Sequence, residues 1–328
     1  MTHNAFVVHK TEDGKFISGI EQIIVPTIGE NEVLIKASYS SLNFKDALSS
    51  VGNPGVTRNF PHVTGIDVAG IIEESNSSDF VKGDEVLVTG YDMGMNSDGG
   101  HQSFVKVPAS WVVKKPSNIT DKEIMTYGTA GLTAGLSVNE LLNNGVTPVA
   151  GEILVTGATG GVGSIAVSIL SKLGFDVVAI SGKEDKIAFL KDLGAKEVIL
   201  RKDFDVENKK PMVRERFAGV VDTVGGNILA EALKALKYDG VATCCGLTSS
   251  FKLETNVFPF ILRGARLIGI DSVECKIEKK LAVWNKLANE FKIDSLTEIT
   301  NEISLEDLPE AYQTLIDGKA VGRYLVKI

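Results

Sequence analysis

The sequence predicts an α/β protein in which a mostly β domain precedes a doubly wound parallel sheet. The chain has 328 residues, too many for one ordinary core, so we expect two domains. Residues 1 to about 125 contain short β-branched runs separated by turn residues. From about residue 126, apolar strands alternate with helices, which is the order of a parallel sheet covered by helices on both faces.

In the first domain, the predicted strands are EVLIKASYSSL, DVAGIIEES, DEVLVTG and HQSFVKVP. Turn clusters such as Asp98-Gly99-Gly100 separate them. In the second, the predicted strands are EILVTG, DVVAIS, KEVIL, GVVDTV, GVATCCG and RLIGID. The intervening helix VGSIAVSILSKLG places Ile165, Ile169 and Leu173 on one face.

The C-terminal stretch LEDLPEAYQTLIDGKAVGRYLVKI predicts a helix and a closing strand. Its return to the first domain would make that domain discontinuous. We therefore assign residues 1–125, completed by about 295–328, to the first domain and residues 126–294 to the second.

Composition and charge exclude several classes of protein. The formal net charge of −8 argues against a nucleic-acid-binding protein. The chain has neither a signal-peptide pattern nor an apolar run of about 18 residues, so no membrane span is predicted. Three cysteines without CxxC spacing and four scattered histidines predict no metal site and suit a reducing compartment. We expect a cytoplasmic protein.

The loop TGATGGVGS follows a predicted strand and opens a helix, as the dinucleotide-binding fingerprint requires. Gly160 and Gly163 occupy its second and third glycine positions, and Ala158 replaces the first. Glycines there allow backbone N–H groups and the helix N-terminus to approach a diphosphate. Alternatively, the glycines only let helix and strand pack closely. The predicted phosphate-binding residues are Thr159, Gly160, Gly161, Val162 and Gly163.

The residues after the second strand of the sheet predict which cofactor is bound. Ser181 lies 18 residues beyond Gly163, where an Asp or Glu would hold an unphosphorylated ribose. Ser181, Gly182 and Lys183 instead suit a 2′-phosphate, with Lys186 close by. Alternatively, both lysines belong to a solvated helix start. We predict NADPH as the cofactor.

Several segments resemble the medium-chain dehydrogenase/reductase superfamily, in particular the quinone oxidoreductase group that includes bacterial acrylyl-CoA reductases. The resemblance implies a GroES-like β-barrel domain, a Rossmann domain and a homodimer joined through the strand RLIGID. The segments are SSLNFKDAL (40–48), GIDVAG (65–70), VTGYDMG (88–94), YGTAGLTAGLSV (127–138), VTGATGGVGS (155–164), PFILRGARLIGIDSV (259–273) and VGRYLV (321–326).

The sequence departs from zinc-dependent relatives at the metal positions. The segment NFKD replaces a cysteine ligand, Gly65-Ile66-Asp67 replaces a Gly-His-Glu run, and no four-cysteine lobe follows Tyr91. Zinc requires three or four N, S or O ligands, and these are missing. The resemblance therefore implies zinc-independent reduction of a polarised C=C bond.

By resemblance, the loop NFKD faces the nicotinamide, so Asn43, Lys45 and Asp46 are candidate catalytic residues. Asn43 or Lys45 would donate to the substrate carbonyl. Alternatively, NFKD is an ordinary turn with a capping Asp. Asp67 takes a zinc-ligand position and would orient Lys45 through an ion pair. Tyr91 is a candidate proton donor or a packing residue.

The resemblance implies further cofactor contacts along the chain. Thr129 and Thr133 would lie near the nicotinamide or its ribose, unless their small-residue helix only packs against the sheet. Arg323 would contact phosphate or cap the cleft, although a terminal Arg in isolation is more often a surface charge. The additional predicted contacts are Phe44, Gly225, Gly246, Leu247, Ile270 and Ser272.

The predicted function is NADPH-dependent reduction of a short 2-enoyl thioester such as acryloyl-CoA. Hydride would add to the β carbon and a proton to the α carbon. Arg58, Arg263 and Arg266 are available for the phosphates of coenzyme A, although the last two would equally flank a subunit interface. One alternative is an NADPH:quinone or small-enone reductase without a CoA requirement. Another is a cofactor-binding protein without turnover.

Overall fold

The computed structural model describes residues 1–206 and 208–328. Its described residues form two compact units, which we call unit 1 and unit 2. Unit 1 comprises Met1–Thr129, Val273–Ala288 and Leu296–Ile328, and unit 2 comprises Ala130–Ser272 and Asn289–Ser295. The segment Val273–Ala288, which the sequence analysis assigns to the second domain, therefore packs within unit 1. The domain boundaries drawn from the sequence stay a prediction.

Unit 1 is built mainly from antiparallel strands. Its strands are β1 Thr2–Lys10, β2 Phe16–Ile24, β3 Glu32–Leu42, β4 His62–Val63, β5 Asp67–Ser75, β6 Glu85–Thr89, β7 Phe104–Pro108, β8 Val113–Lys114, β15 Thr300–Ile303 and β16 Arg323–Lys327. In its described part, one sheet has the order β2-β1-β4 and another the order β15-β16-β3-β5-β6-β8, with β7 also paired to β3. The C-terminal strand β16 pairs antiparallel with β3, with Leu325 opposite Ser41.

Alternating side chains of these strands form the core of unit 1, as expected for sheets with one buried face. The core includes Val33, Ile35, Val68, Ile72, Val86, Val88, Val105 and Val107. The helices of unit 1 are α1 Phe44–Ser50, α8 Ile277–Ala288 and α9 Leu308–Ile316. Short 3₁₀ helices of the chain span Ala109–Trp111, Pro148–Ala150, Glu184–Lys186 and Asp294–Leu296.

Helix α2, Asp121–Asn143, begins in unit 1 and continues into unit 2. It is kinked at Gly128, whose φ of 50° and ψ of −156° are not helical. A β carbon at Gly128 would lie 2.3 Å from Ser41 Oγ and 2.6 Å from Asp67 Oδ2. Only glycine allows the helix to approach these two side chains so closely.

Unit 2 contains a parallel sheet. Its strands are β9 Glu152–Val155, β10 Val177–Ser181, β11 Glu197–Leu200, β12 Phe217–Asp222, β13 Leu236–Cys244 and β14 Arg266–Gly269. The described strands have the order β11-β10-β9-β12-β13-β14. The order reverses direction between β9 and β12, as in a doubly wound fold. The predicted parallel α/β sheet is therefore confirmed. Its helices are α3 Gly161–Lys172, α4 Ile187–Asp192, α5 Arg201–Phe204, α6 Gly226–Lys234 and α7 Phe258–Arg263.

The strands of unit 2 are apolar because helices cover both faces of the sheet. All six residues of β12 are buried. Ile165 and Ile169 of α3 are fully buried, as their spacing predicts, whereas Leu173 at the C-cap is half-buried because the helix ends there. Among the described residues, no helix is both long enough and apolar enough to cross a membrane.

Candidate active site

A buried polar cluster of unit 1 centres on Asp67, the first residue of β5. The carboxylate is fully buried. Its Oδ2 accepts hydrogen bonds from Asn43 Nδ2 at 2.7 Å and from the Thr129 backbone N–H at 2.8 Å. Its Oδ1 accepts from the Thr129 hydroxyl at 2.5 Å, and Ser41 Oγ also donates to Oδ2. Donors from β3, the start of α1 and α2 thus compensate the buried negative charge.

Arg323, at the start of β16, supplies the buried cation of this cluster. It is 4% exposed. Its guanidinium donates to Ser41 Oγ at 2.9 Å and to the Thr126 carbonyl at 2.9 Å. One further nitrogen lies 3.4 Å from Asn43 Oδ1. Burial lowers the pKa of Arg323, and the nearby carboxylates oppose that shift. These contacts indicate that Arg323 orients the cluster and do not support the phosphate contact predicted from the sequence.

Asp46 has its carboxylate directed at the backbone. Oδ2 accepts from the Asn43 N–H at 2.7 Å, which caps α1, and Oδ1 accepts from the Ile66 N–H at 2.9 Å. Burial, assisted by the charge of Asp67, raises the pKa of Asp46 to about 7. Through these two hydrogen bonds, both oxygens of Asp46 hold the loop that carries Asn43. This arrangement is the one that the alternative of a turn with a capping Asp predicts.

The two residues between Asn43 and Asp46 point outward more than their neighbours do. Phe44 is 40% exposed and Lys45 is half-buried. The ion pair expected between Asp67 and Lys45 is not present among the described residues, because the Asp67 carboxylate is engaged with Asn43, Ser41 and Thr129. Asn43, which is 8% exposed, is the member of the loop fixed by the cluster.

His101 extends the buried network behind Ser41. Its Nδ1 lies 2.9 Å from the Thr64 hydroxyl and 3.0 Å from the Tyr312 hydroxyl, and its Nε2 lies 3.4 Å from the Ser41 carbonyl. Burial lowers the pKa of His101 to about 3, so the ring is neutral at physiological pH. The scattered histidines of the sequence gave no signal for this network, because its members come from distant parts of the chain.

Tyr91 follows β6 and has an unusual backbone, with a φ of 55°. Its ring stacks on Trp111 at a centroid distance of 5.4 Å and an interplanar angle of 10°. The ammonium of Lys280 lies 3.4 Å from the centroid of the Tyr91 ring. Burial raises the pKa of Tyr91, and the charges of Cys275 and nearby glutamates add to that shift. The phenol therefore keeps its proton at neutral pH.

The predicted phosphate loop of unit 2 joins β9 to α3. The helix begins at Gly161 after the N-cap Gly160, so its first-turn N–H groups are free of side-chain caps. A β carbon at Gly163 would lie 2.4 Å from the Gly157 carbonyl oxygen and 2.7 Å from Ala158 Cα. Thr159 is buried, and Val162 is half-buried in the first turn. This cradle of backbone N–H groups fits the diphosphate of a dinucleotide.

The turns after β9 and β12 are fastened to each other. The Thr156 hydroxyl donates to Asp222 Oδ1 at 2.7 Å, and the Gly225 N–H donates to Asp222 Oδ2 at 2.9 Å. Burial raises the pKa of Asp222, while these donors oppose the shift. Gly225 has a φ of 71°, which favours glycine. These bonds join the turns at the reversal point of the sheet, where such folds bind ligands.

A cavity of about 200 Å³ lies beside the carboxyl ends of β10 and β11. Ser181 and Gly182 line it, as the sequence predicts for the adenosine end, and Arg201 and Lys202 line it as well. The Ser181 hydroxyl accepts from the Lys183 backbone N–H at 2.9 Å, and burial lowers the pKa of the Lys183 side chain. Glu184, Leu200 and Asp205 complete the lining.

Arg201 and Lys202 are not among the cofactor-binding residues predicted from the sequence. The signal was present, because both residues come directly after the strand KEVIL. The parallel pairing of β10 with β11 brings these bases beside Gly182. The absence of a side chain at Gly182 leaves room for the Arg201 guanidinium.

Four other predicted cofactor residues lie in unit 2. The Thr133 hydroxyl of α2 donates to Ser272 Oγ at 2.7 Å. Ile270 follows β14, and its N–H donates to the Cys244 carbonyl at 2.9 Å. Leu247, which follows β13, is 66% exposed. The structure thus places Leu247, Ile270 and Ser272 beyond the carboxyl ends of their strands, with Thr133 of α2 hydrogen-bonded to Ser272.

The three arginines considered for coenzyme A differ in exposure. Arg58 and Arg266 are exposed. Arg263 is 8% exposed, and its guanidinium donates to the carbonyls of Lys234, Leu236 and Val213. Arg263 therefore holds β13 and its surroundings and is not available for a phosphate.

A doubly wound sheet with a dinucleotide loop, together with a mostly β unit carrying a buried polar cluster, defines a dehydrogenase/reductase of the medium-chain class. Residues 29–117 match the family model of the alcohol dehydrogenase GroES-like domain, and residues 161–289 match that of the zinc-binding dehydrogenase. The chain is 43% identical over 310 residues to the Bacillus subtilis protein YhfP, named as a quinone oxidoreductase, with 94% of each chain covered. The Escherichia coli protein AcuI, named as an acrylyl-CoA reductase, is 41% identical over 317 residues, with 97% of each chain covered.

Solved structures agree with this match. The crystal structure of YhfP with NAD bound has a TM-score of 0.97 and 41% identity, with 100% of each chain covered. The structure of E. coli YhdH with bound NADPH has a TM-score of 0.94 and 40% identity, covering 98% of this chain and 99% of the other. The chain belongs to the YhfP and AcuI family of medium-chain oxidoreductases, and the predicted GroES-like and Rossmann architecture is confirmed.

The name of the second family model raises the question of whether the cluster in unit 1 fits zinc. Its one carboxylate at the ligand position, Asp67, already accepts hydrogen bonds from Asn43, Ser41 and Thr129. Arg323 adds a cation hydrogen-bonded to Ser41. Among the described residues, no group of three or more His, Cys, Asp or Glu side chains is arranged to hold a metal ion. These residues do not fit zinc, which needs several free lone pairs.

Proposed function

We propose that this oxidoreductase uses NADPH to reduce the activated C=C bond of a short 2-enoyl thioester such as acryloyl-CoA. The observation that carries the proposal is the carboxamide of Asn43, fixed by Asp67 in a cluster that also contains Arg323. A fixed N–H donor is the group required to stabilise negative charge that develops on a carbonyl oxygen. The name of AcuI supports the acyl-CoA substrate class.

The choice of NADPH rests on the cavity beside β10 and β11. Arg201 and Lys202 provide two cations in its lining, and Ser181 stands where an acidic residue would favour an unphosphorylated ribose. The NADPH-bound structure of YhdH supports this choice, whereas the structure of YhfP contains NAD. We propose that Thr159–Gly163 hold the diphosphate and that Arg201 and Lys183 interact with the 2′-phosphate.

In the proposed reaction, NADPH supplies a hydride to the β carbon of the substrate when it is bound. Asn43 Nδ2 donates to the thioester oxygen as the enolate forms, and Asp67 keeps the amide in the donating orientation. Tyr91, which keeps its proton at neutral pH, protonates the α carbon. We assign Asp46 to loop positioning, since both of its oxygens accept backbone N–H groups.

The name of YhfP supports a second candidate, a quinone or small-enone reductase without a CoA requirement. Arg58 and Arg266 are exposed and would serve the phosphates of coenzyme A, whereas a quinone needs no such cations. The two candidates therefore differ in their dependence on the CoA moiety rather than in hydride chemistry.

The test is a comparison of kcat/KM for NADPH oxidation with acryloyl-CoA, the matching N-acetylcysteamine thioester, methyl vinyl ketone and benzoquinone. The proposal predicts the highest value with acryloyl-CoA and at least a tenfold loss with the truncated thioester. Equal values for the two thioesters, or preference for benzoquinone, would favour the second candidate. NADPH binding without any turnover would indicate a cofactor-binding protein.

We further propose a homodimer joined through the edge strand β14. Only β13 pairs with it among the described strands of this sheet, and the adjoining helix α7 exposes Ile261 and Leu262 at 67% and 56%. An exposed edge next to an apolar face suits a second copy of the chain. Light scattering of the wild-type protein and of Ile268→Pro tests this proposal. A wild-type monomer contradicts it. The cytoplasmic location predicted from the sequence stays a prediction.

A further inference from the structure

Lys280 lies on the inward face of α8 and is fully buried. An ammonium in an apolar interior is costly unless polar groups surround it. Its Nζ donates to the Thr89 carbonyl at 2.7 Å and to the Val273 carbonyl at 2.9 Å, and it lies 3.4 Å from the centroid of the Tyr91 ring. The side chain thus joins the end of β6, the segment before α8 and one aromatic residue.

These contacts meet at an unusual turn. Tyr91 has a φ of 55°, a conformation that costs energy for a residue with a side chain and persists only where surrounding contacts impose it. The Tyr91 N–H donates to the Val273 carbonyl at 3.3 Å, and this carbonyl also accepts from Lys280. Lys280 therefore binds the Thr89 carbonyl at the end of β6. It also binds the Val273 carbonyl, which accepts the Tyr91 N–H.

The ring of Tyr91 is held as well as its backbone. It stacks on Trp111 with an interplanar angle of 10° while the Lys280 ammonium lies over it. A cation is attracted to the face of an aromatic ring, and more strongly once the phenol has lost its proton. The ammonium on this face therefore helps to orient the phenol ring.

We infer that Lys280 is a positioning residue that holds Tyr91 in the orientation for protonating the substrate. The inference rests on the proposed function, in which Tyr91 is the proton donor. In that step the O–H bond of Tyr91 breaks and a C–H bond forms at the α carbon of the enolate. The phenolate then regains a proton from water. The ammonium of Lys280 remains charged throughout and does not contact the substrate.

A double-mutant cycle tests the inference. Lys280→Met, Tyr91→Phe and the double variant are compared with the wild type for kcat and KM, using the acceptor that the wild type reduces fastest. We expect kcat to fall about tenfold in Lys280→Met and about 10- to 100-fold in Tyr91→Phe, with the KM for NADPH within about twofold of wild type. The double variant should be no slower than Tyr91→Phe. Lys279→Met, an exposed change on the same helix, is the control and should retain the wild-type kcat.

Near-ultraviolet circular dichroism gives a readout independent of turnover. The chain has two tryptophans, and Trp111 stacks on the Tyr91 ring. Lys280→Met should weaken the aromatic signal, and the same substitution in the Tyr91→Phe background should change it less. If Lys280→Met fails to fold, Lys280→Gln, which retains N–H donors, replaces it in the cycle.

The outcomes separate this inference from the proposed function. If the double variant is slower than Tyr91→Phe by the full factor seen for Lys280→Met, the two substitutions act independently. That result overturns the positioning role, and turnover by the wild type would leave the proposed function standing. A wild-type kcat in Tyr91→Phe overturns it too, because no proton donor would remain to be positioned. Absence of turnover by the wild type with every acceptor contradicts the proposed function itself, and the role of Lys280 with it.

Discussion

The carboxamide of Asn43 donates a 2.7 Å hydrogen bond to the fully buried carboxylate of Asp67. The same carboxylate accepts hydrogen bonds from Ser41 and Thr129, and the guanidinium of Arg323 donates to Ser41 Oγ. Where zinc-dependent relatives would need a metal ligand, the chain places an acceptor that orients an amide. The consequence is an amide with a fixed direction, which in the proposed reaction takes the place of a Lewis acid.

Asp67→Asn is expected to destabilise the protein and to reduce kcat. The amide of Asn cannot accept all four hydrogen bonds that the Asp67 carboxylate accepts. The substitution also removes the negative charge that compensates the cation of Arg323. Breaking a buried charge pair typically costs about 3–5 kcal/mol. Urea unfolding followed by fluorescence measures the loss, with the exposed Asp79→Asn as control. A cost below about 1 kcal/mol would show that the cluster does not depend on this charge.

Arg201→Ala is expected to weaken NADPH binding and to leave NADH binding nearly unchanged. One hydrogen bond to a charged group contributes about 1.5–3 kcal/mol, so the Kd for NADPH should rise about 10- to 100-fold. Fluorescence titration with both cofactors measures it. The control is Lys196→Ala, at an exposed lysine before β11 that pairs with Asp176. Equal losses for the two cofactors would place the 2′-phosphate elsewhere.

Lys183→Glu is expected to act in the same direction. A carboxylate beside Ser181 and Gly182 would repel a 2′-phosphate and suit a free ribose hydroxyl. The ratio of Kd values for NADPH and NADH should therefore rise by at least about tenfold. If instead both cofactors weaken equally, the side chain of Lys183 acts on the loop and not on the phosphate.

Gly163→Ala is expected to weaken both cofactors to a similar degree. The new β carbon would lie 2.4 Å from the Gly157 carbonyl oxygen, so the loop backbone must shift. Gly160→Ala is the matched comparison, because its nearest neighbour, the Gly157 carbonyl oxygen, would be 3.3 Å away. Titration should show a larger loss for Gly163→Ala than for Gly160→Ala. The reverse order would mean that the spacing of the loop does not determine affinity.

His101→Gln is expected to change the pH dependence of stability. Burial holds the pKa of His101 at about 3, against 6.5 for an exposed histidine. Between these values the unfolded chain binds the additional proton, so the wild type loses stability as the pH falls, by up to about 1.4 kcal/mol per pH unit. The glutamine variant lacks this contribution. Its destabilisation relative to wild type should therefore shrink between pH 6.5 and 4 in urea unfolding, and a constant difference would contradict the assignment.

Local sequence is sufficient to predict structural elements that lie next to one another in one segment of the chain. The strand EILVTG and the glycines after it predict β9, α3 and the diphosphate cradle, because strand, turn and helix are consecutive. Arg201 was missed although it follows a predicted strand, because its position beside Gly182 depends on which strand pairs with β10. From the sequence, Arg263 is available for a phosphate of coenzyme A. In the folded protein its guanidinium already donates to three backbone carbonyls.

The sequence by itself determined the α/β class, the dinucleotide loop and the absence of an acidic ribose clamp, because hydrophobic period, glycine spacing and charge are local properties of the chain. Tertiary structure decided the partners of Asp67, the neutral state of His101 and the burial of Lys280 over Tyr91. Each of these depends on groups far apart in the chain being removed from water together, and the energy of a buried charge is set by those neighbours.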